Sequence, residues 1–351
     1  MKRYLVLAEG KSDDPHYGKT LRGVVDYGLD PVVAILDTQR AGKTHKGIPI
    51  VGSVAQGLEY RPTTVLVGVA TQGGRFPPEW RALLRASISA GLDVENGLHE
   101  FLAFDPELAG LAETLGVELR DLRRPPVGLN VPTGANLEAN ADIVLTVGSD
   151  CAIGKMTVSL ELDRAARERG LESVFVPTGQ TGIAIAGWGI AVDAVVSDFL
   201  AGAAEQLVVE GAQRGGRLLW VEGQGSLVHP MYSGVTLGLM HGSAAHAYVL
   251  CHRAGSTEIE GAPGHPIPPL DALVRLHEEI SLPARPARVA AVAVNTRGLD
   301  AAAAAHAVHE AADTTGLPAD DPVRFGAGRL LDAVLAALPA RKAGAAHMSE
   351  R

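Results

Sequence analysis

The chain is poor in aromatic residues, which make up 4% of it, and has only two cysteines, Cys151 and Cys251. With so little Phe, Tyr and Trp, a core has to be built from Ala, Val, Leu and Ile. The cysteines fit neither a disulfide framework nor a zinc site. An excess of positive charge is also missing. There are 31 Lys and Arg against 40 Asp and Glu, a net charge of −9, which argues against the basic face that a nucleic-acid partner needs. No apolar run reaches the length of a membrane span. The first one, in "MKRYLVLAEGKSDD", is ended at once by charge and reads as a strand rather than a signal peptide. A cytoplasmic protein with no membrane partner is the expectation.

What is present is an α/β pattern. The 351 residues are 46% hydrophobic and 20% charged, with 41 glycines and 21 prolines, enough for two globular domains. Strand-like runs at Tyr4–Ala8, Val32–Leu36, Thr64–Val69 and Leu92–Glu95 alternate with helical stretches at Glu79–Ala90 and Pro106–Leu115. Pro125, Pro126 and the Gly/Pro/Asn-rich stretch up to Asn136 read as a linker, which sets domains at 1–125 and 126–351. The second has strands at Asp142–Val147, Ser173–Val176, Arg217–Val221, Ala247–Cys251 and Val289–Asn295, with helices at Ser197–Glu210 and Ala301–Thr314. Such alternation predicts parallel sheets. The last stretch, "PARKAGAAHMSER", is small and polar and is expected to fray.

One segment carries most of the chemistry. In "VLTVGSDCAIGKMTVSLELDRAARERG" an apolar strand runs into a loop bounded by Gly148 and Gly154, then Lys155 and an amphipathic helix. Glycines let successive N–H groups turn inward as an anion nest, the helix start adds its positive dipole end, and Lys155 adds a point charge. The spacing is one residue longer than the plain G-x-x-x-x-G-K-[ST] loop. The residues expected to hold a diphosphate are Gly148, Ser149, Asp150, Cys151, Ala152, Ile153, Gly154, Lys155, Met156 and Thr157. Met156 stands where a hydroxyl usually ligates Mg²⁺, and Thr157 is about 100° further round the helix, so no metal is expected. Cys151 reads as a packing residue of the loop. The bare Gly-Lys-Thr at Gly42–Thr44 lacks the upstream glycine and reads as a surface turn.

Around this loop stand further candidates. "RLLWVEGQGS" is a strand that ends in Glu222 and a Gly-x-Gly turn, placing a carboxylate where a base or a metal-water contact is useful. His229, in "GSLVHPMYSG", follows closely as a second candidate base. "VFVPTGQTG" ends in a turn of small donors, Thr178, Gly179, Gln180 and Thr181, suited to a carboxylate substrate. Asp198 begins a helix and fits capping as well as it fits catalysis. Arg253 offers a planar fork for a carboxylate or a surface ion pair. His241 and His246 read as packing or capping residues.

Taken together, "VGSDCAIGKMT", "TGQTGIAIAGWGIAVDAVVSDFLAGAAEQLV", "WVEGQGSLVHPMYSGVTLGLMHGSA" and "VLCHRAG" closely resemble the D-glutamate N-acetyltransferase-like family, long described as a domain of unknown function. The resemblance covers most of Asp142–Arg253. It implies a Rossmann-like domain followed by a P-loop NTPase-like domain, and acetyl transfer from acetyl-CoA to the amino group of D-glutamate. The same loops are similar to those of dethiobiotin synthetases, except that Met156 replaces the hydroxyl after the lysine and Val176 a lysine. The stretches "KGIPIVGSVAQGLEYRPTTVLVGVA" and "ALLRASISAGLDVENGLHEFL" loosely resemble CoA-binding domains of acyl-CoA ligases.

The resulting expectation is an acetyl-CoA-dependent N-acetyltransferase. The loop anchors the CoA phosphates, Glu222 or His229 is the base, and Thr178–Thr181, Asp198 and Arg253 face a small acidic amino acid. Base rates for parallel-sheet proteins favour a homo-oligomer. Two alternatives predict other behaviour: an ATP/Mg²⁺-dependent ligase or kinase, and a nucleotide-binding regulatory module without chemistry.

Overall fold

The computed structural model describes residues 1–14, 17–69 and 74–339. The C-terminal stretch expected to fray falls, beyond Pro339, outside the described residues. Among the described residues the strands are β1 (Tyr4–Leu7), β2 (Val32–Leu36), β3 (Thr44–His45), β4 (Ile48–Val51), β5 (Thr64–Val67), β6 (Asp93–Asn96), β7 (Leu119–Asp121), β8 (Asp142–Gly148), β9 (Ser173–Val176), β10 (Leu218–Val221), β11 (Ala247–Arg253), β12 (Arg288–Asn295) and β13 (Ala319–Asp320). They form two sheets, ordered β3-β4-β2-β1-β5-β6-β7 and β13-β12-β11-β8-β10-β9. The first sheet is parallel apart from the short β3–β4 hairpin. In the second, β8, β10, β11, β12 and β13 pair in parallel. The α/β expectation therefore holds, with a Rossmann-like sheet followed by a P-loop-type sheet.

The chain folds as two compact units. One comprises Met1–Val131 with Val176–Leu207, the other Pro132–Phe175 with Val208–Arg351. The segment Val176–Leu207 thus follows a strand of the second sheet and packs in the first unit. The chain order of apolar runs carries no sign of this exchange. Within the first unit, Gly202 on the helix Ser197–Gln213 lies so close to the Asn130 carbonyl that a Cβ there would overlap it. The Gly/Pro/Asn-rich stretch is largely exposed, with Val127 fully so, and touches this helix at Asn130.

In the second unit the central strand β8 is buried along all but its first residue, as a parallel strand covered on both faces must be. Its neighbours bury Val249, Leu219 and Trp220. The Trp220 Nε1–H donates to Ser173 Oγ at 2.9 Å, and that hydroxyl donates to Asp163 at 2.7 Å, so the large ring is buried with its polar atom satisfied. The helices Lys155–Glu168 and Gly328–Ala337 cover one face through Val158, Leu162, Leu330, Leu331 and Val334. The core is aliphatic, as the shortage of aromatics requires.

Short elements escaped the sequence pattern. β3, β7 and β13 are two or three residues long, too short to show alternation. Gly42, Lys43 and Thr44 are exposed and lead into β3, which agrees with the surface-turn reading. The stretch Gln180–Ala186, whose sequence reads as a turn, is a helix. It is built from small residues and buried nearly all round, so it lacks the amphipathic period that reveals surface helices. No helix among the described residues is long and apolar enough to cross a membrane.

The core of the second unit also holds a titratable group. His277, on the helix Leu270–Glu279, is fully buried, and its Nδ1–H donates to the Leu273 carbonyl at 2.7 Å. Its Nε2 has no partner among the described residues. Burial pushes its pKa from the ordinary 6.5 down to about 4. The unfolded chain then binds a proton that the folded chain refuses, and stability present above pH 6.5 is lost as pH falls towards 4. The expected loss is about 3 kcal/mol, measurable as a falling urea midpoint between those pH values. His277→Leu should remove that part of the slope.

Candidate active site

β8 delivers the loop Ser149–Gly154 at its carboxyl end, between β10 and β11. The chain runs from β8 out to the edge at β9, returns to β10, then crosses to β11 on the other side of β8. The carboxyl ends of the central strands are therefore a switch point, where open α/β sheets leave a crevice. Glu222 follows β10, while His252 and Arg253 end β11 and Asn295 ends β12. These residues reach the loop because parallel strands all point the same way.

The loop is turned by two left-handed residues, Ala152 at φ +52° and Gly154 at φ +113°. Its outer wall is pinned from neighbouring strands. The Ser149 amide donates to the Cys251 carbonyl at 3.0 Å, and Ser149 Oγ lies 2.9 Å from His252 Nδ1. Asn295 Nδ2 donates to the Ile153 carbonyl at 2.9 Å. Burial keeps His252 below the usual histidine range, so it serves as a neutral hydrogen-bonding wall. The helix Lys155–Glu168 begins at Gly154 with no side-chain cap. Its first N–H groups have no intrahelical acceptor, as at any helix start, and the N-cap residue Gly154 has no side chain to offer them. They form the anion-binding end of the loop.

Lys155 is buried inside this loop. Its Nζ donates to the Asp150 carbonyl oxygen at 2.6 Å. Burial lowers its pKa, while the carboxylates of Asp150 and Glu222 act in the opposite direction. Burial also raises the Cys251 thiol to about 12, so that cysteine stays a neutral packing group beneath the loop. Asp150 is buried and spends its carboxylate on structure. Oδ1 accepts the Cys151 amide at 2.6 Å and Oδ2 the Glu260 amide at 2.8 Å. Met156 and Thr157 are half-buried in the first helical turn.

The Glu222 turn fits against β8 only because it carries glycine. A Cβ at Gly223 would overlap the Thr146 carbonyl oxygen and approach Lys155 Cδ to 3.1 Å. The Gly223 amide instead donates to Thr146 Oγ1 at 2.9 Å. Gly225, at φ +67°, would likewise strike the Tyr232 carbonyl. Glu222 is buried beside this turn and within the electrostatic reach of Lys155.

His229 is held differently from a free base. It is buried, its ring packs on Tyr232 at 4.6 Å between centroids, and its Nδ1 accepts the Met231 amide at 3.2 Å. That bond leaves the neutral ring's proton on Nε2, which faces Asp150 Oδ1 at 4.0 Å. The Met231 amide thus engages the Nδ1 lone pair, so His229, expected as a candidate base, is placed here as a hydrogen-bonded residue of the fold. Asp150, Cys151 and His229 present atoms within 4.8 Å of one another, a spacing that could hold a metal. Metal binding through Nε2 would move the proton to Nδ1, against the Met231 N–H. The trio therefore fits a structural tie better than a cation site.

The remaining expectations divide. Thr178, Gly179, Gln180 and Thr181 belong to the first unit. Thr178, Gln180 and Thr181 are buried there. Thr181 Oγ1 lies 2.8 Å from Thr20 Oγ1, and Gln180 packs where a Cβ on Gly97 would intrude. The small donors that looked suited to a substrate thus help hold the unit together. Asp198 is exposed on the first turn of its helix in the same unit, where a carboxylate faces the positive end of the helix dipole. Arg253 does reach the loop, 3.3 Å from the Ala152 carbonyl oxygen. His246 Nδ1 accepts the Ile143 amide at 3.0 Å, and His241 Nε2 lies 2.9 Å from the Ile280 carbonyl, so both are packing residues.

Among the described residues, the loop after β1 of the first unit is arranged differently. There the amides of Gly10 and Ser12 point at Asp37, at 3.1 and 3.2 Å, and the Ser12 hydroxyl joins them. Asp37 directly follows β2, where a Rossmann-type site keeps its ribose-binding acid. Here that acid neutralises the loop's own donors. Sequence reasoning missed this lock because it joins residues far apart in the chain.

Gly223→Ala should cost about 3 kcal/mol, the upper end of overpacking, because the obstacle is the backbone of a central strand. A drop in Tm checks it. Gly110→Ala, on an exposed helix with open space around the added methyl, should leave Tm unchanged or raise it.

Comparison with known proteins agrees with this architecture. Residues 130–331 match the family model described as "Domain of unknown function (DUF1611_C) P-loop domain", and residues 37–125 match the DUF1611_N Rossmann-like domain. The chain is 39% identical over 278 residues to a D-glutamate N-acetyltransferase of Tritonibacter scottomollicae, covering 78% of this chain and 81% of that one. A D-glutamate N-acetyltransferase of a Pseudoalteromonas species is 33% identical over 275 residues, covering 78% and 82%. The crystal structure of a DUF1611 family protein from Anabaena variabilis superposes with a TM-score of 0.90 at 41% identity, covering 96% of this chain and all of that one. The two matched domains, their order and the extent of these relatives place the chain in the DUF1611 family, among proteins named D-glutamate N-acetyltransferase.

Proposed function

We propose that the protein is an N-acetyltransferase that moves the acetyl group of acetyl-CoA to the amino group of a small acidic amino acid, D-glutamate by analogy with its named relatives. The supporting observation is the buried Lys155 ammonium inside an uncapped helix start. Such a site is completed by an anion, which offsets the desolvation of the lysine. A diphosphate with a thioester at its far end supplies that anion. Met156 in place of a hydroxyl fits a carrier whose phosphates are gripped without Mg²⁺ and are not themselves transferred.

In the reaction the unprotonated amine attacks the thioester carbonyl, the tetrahedral oxyanion forms and collapses, and CoA leaves as the thiolate. The pantetheine arm separates diphosphate from thioester by far more than a hydrogen bond. Residues that touch the loop therefore bind the carrier and do not act on the acyl carbon. This reassigns Glu222. Its carboxylate helps keep Lys155 protonated in the desolvated loop, and the proton of the amine goes to a group outside this cluster.

Titration calorimetry and kinetics test the assignment. Acetyl-CoA should bind in EDTA, and Lys155→Ala should reduce that affinity by about two orders of magnitude, as loss of a charge-assisted contact does. Glu222→Gln should change KM for acetyl-CoA more than kcat. A hundredfold loss of kcat at unchanged KM would instead make Glu222 the base and remove the diphosphate from the loop. Mg²⁺-dependent ATP turnover without any CoA requirement, or tight binding with no product from any amino acid, would overturn the acetyltransferase.

A further inference from the structure

We propose that Arg253 recognises the ribose 3′-phosphate of coenzyme A and so selects this carrier over nucleotides that have only a 5′-diphosphate. The inference rests on the reading that the loop holds the diphosphate of acetyl-CoA. It gives Arg253 a different ligand from the substrate carboxylate that the sequence pattern pointed to.

The placement follows from strand register. Cys251 of β11 pairs with Gly148 at the end of β8, so Arg253, two residues on, stands at the rim of the loop. One guanidinium nitrogen lies 3.3 Å from the carbonyl oxygen of Ala152, the exposed left-handed residue of the loop. The other terminal nitrogen is 3.6 Å from Glu260 Oε2, an ion-pair rather than a hydrogen-bond distance. The two side chains are 44% and 50% exposed, so the pair is open to water and weakly bound. Glu260 is itself stitched to the loop, since its amide donates to Asp150 Oδ2 at 2.8 Å. The rim therefore carries a guanidinium with most of its five donors uncommitted, held over the loop by a carboxylate that an incoming anion can displace.

The chemistry of coenzyme A matches this layout. Its extra phosphate is a monoester on the same ribose that bears the 5′-diphosphate. A group that reads it must stand beside the diphosphate nest and outside it. Lys155, buried within the nest, cannot do so, whereas Arg253 can. A planar fork meets a phosphate with two parallel hydrogen bonds, a geometry that lysine does not offer. At the thioester end, where the acidic amino acid must lie, an arginine tied to Ala152 would be out of reach.

The test compares acetyl-CoA with 3′-dephospho-acetyl-CoA by titration calorimetry on the full chain in EDTA. The wild type should bind acetyl-CoA about ten- to a hundredfold more tightly, the range of one or two charge-assisted hydrogen bonds. Arg253→Gln should bind both carriers equally, at the wild-type affinity for the dephospho form. Glu260→Gln should tighten acetyl-CoA alone by freeing the fork. Equal wild-type affinities would overturn the role of Arg253 while leaving the diphosphate reading intact, and so would an Arg253→Gln variant that weakens both carriers alike. Failure of the wild type to bind either carrier would overturn both.

Discussion

A buried ammonium is the constraint around which the second unit is arranged. Lys155 lies out of water with a loop carbonyl as its close neutral partner; burial lowers its pKa, and the nearby carboxylates of Asp150 and Glu222 oppose that shift. A desolvated charge of this kind costs several kcal/mol unless its surroundings compensate, and the chain invests heavily in those surroundings. Ser149 and His252, Asn295 and Ile153, Asp150 and the amides of Cys151 and Glu260 all fix loop atoms from different strands. The loop is thereby preorganised before any ligand arrives, and its remaining uncompensated feature is the N-terminal end of the helix Lys155–Glu168.

The two units treat the same architectural opportunity in opposite ways. Both have parallel strands whose carboxyl ends meet at a switch point. In the second, Ser149 and Cys151 also spend their amides within the fold, but the helix Lys155–Glu168 starts at the loop with no side-chain cap. In the first, Asp37 accepts the amides of Gly10 and Ser12, and the segment carrying Thr181 packs on Thr20. A carboxylate in place of a ligand phosphate stabilises a loop while removing its anion-binding capacity. The Rossmann-like shape is therefore no guide to what that unit binds.

Much of the candidate site was legible in the chain order. An apolar run long enough to be a buried strand, glycines flanking the loop, and an amphipathic pattern beginning at Lys155 are local signals, because backbone turning and helix start depend on neighbouring residues. The same holds for Glu222 at a strand end, where glycines mark a turn that Thr146 leaves no room to widen. Side-chain commitments were not legible. His229 looks like a free base in a list of residues, but the Met231 amide occupies its lone pair. Thr178 to Thr181 look like exposed donors, yet all four are buried in the other unit. Whether a polar atom is spent depends on a partner that can stand a hundred residues away.

The sequence by itself determined the alternation of strands and helices, the aliphatic core and the anion-binding loop with its lysine, since each follows from local periodicity, local volume and local turn chemistry. Tertiary structure alone decided that Val176–Leu207 joins the first unit, that Asp37 closes that unit's loop, and that Arg253 stands over Ala152. Those outcomes depend on strand order and register. Parallel strands are brought together by crossovers longer than any sequence window, so which residues share a rim is settled only when the sheet closes.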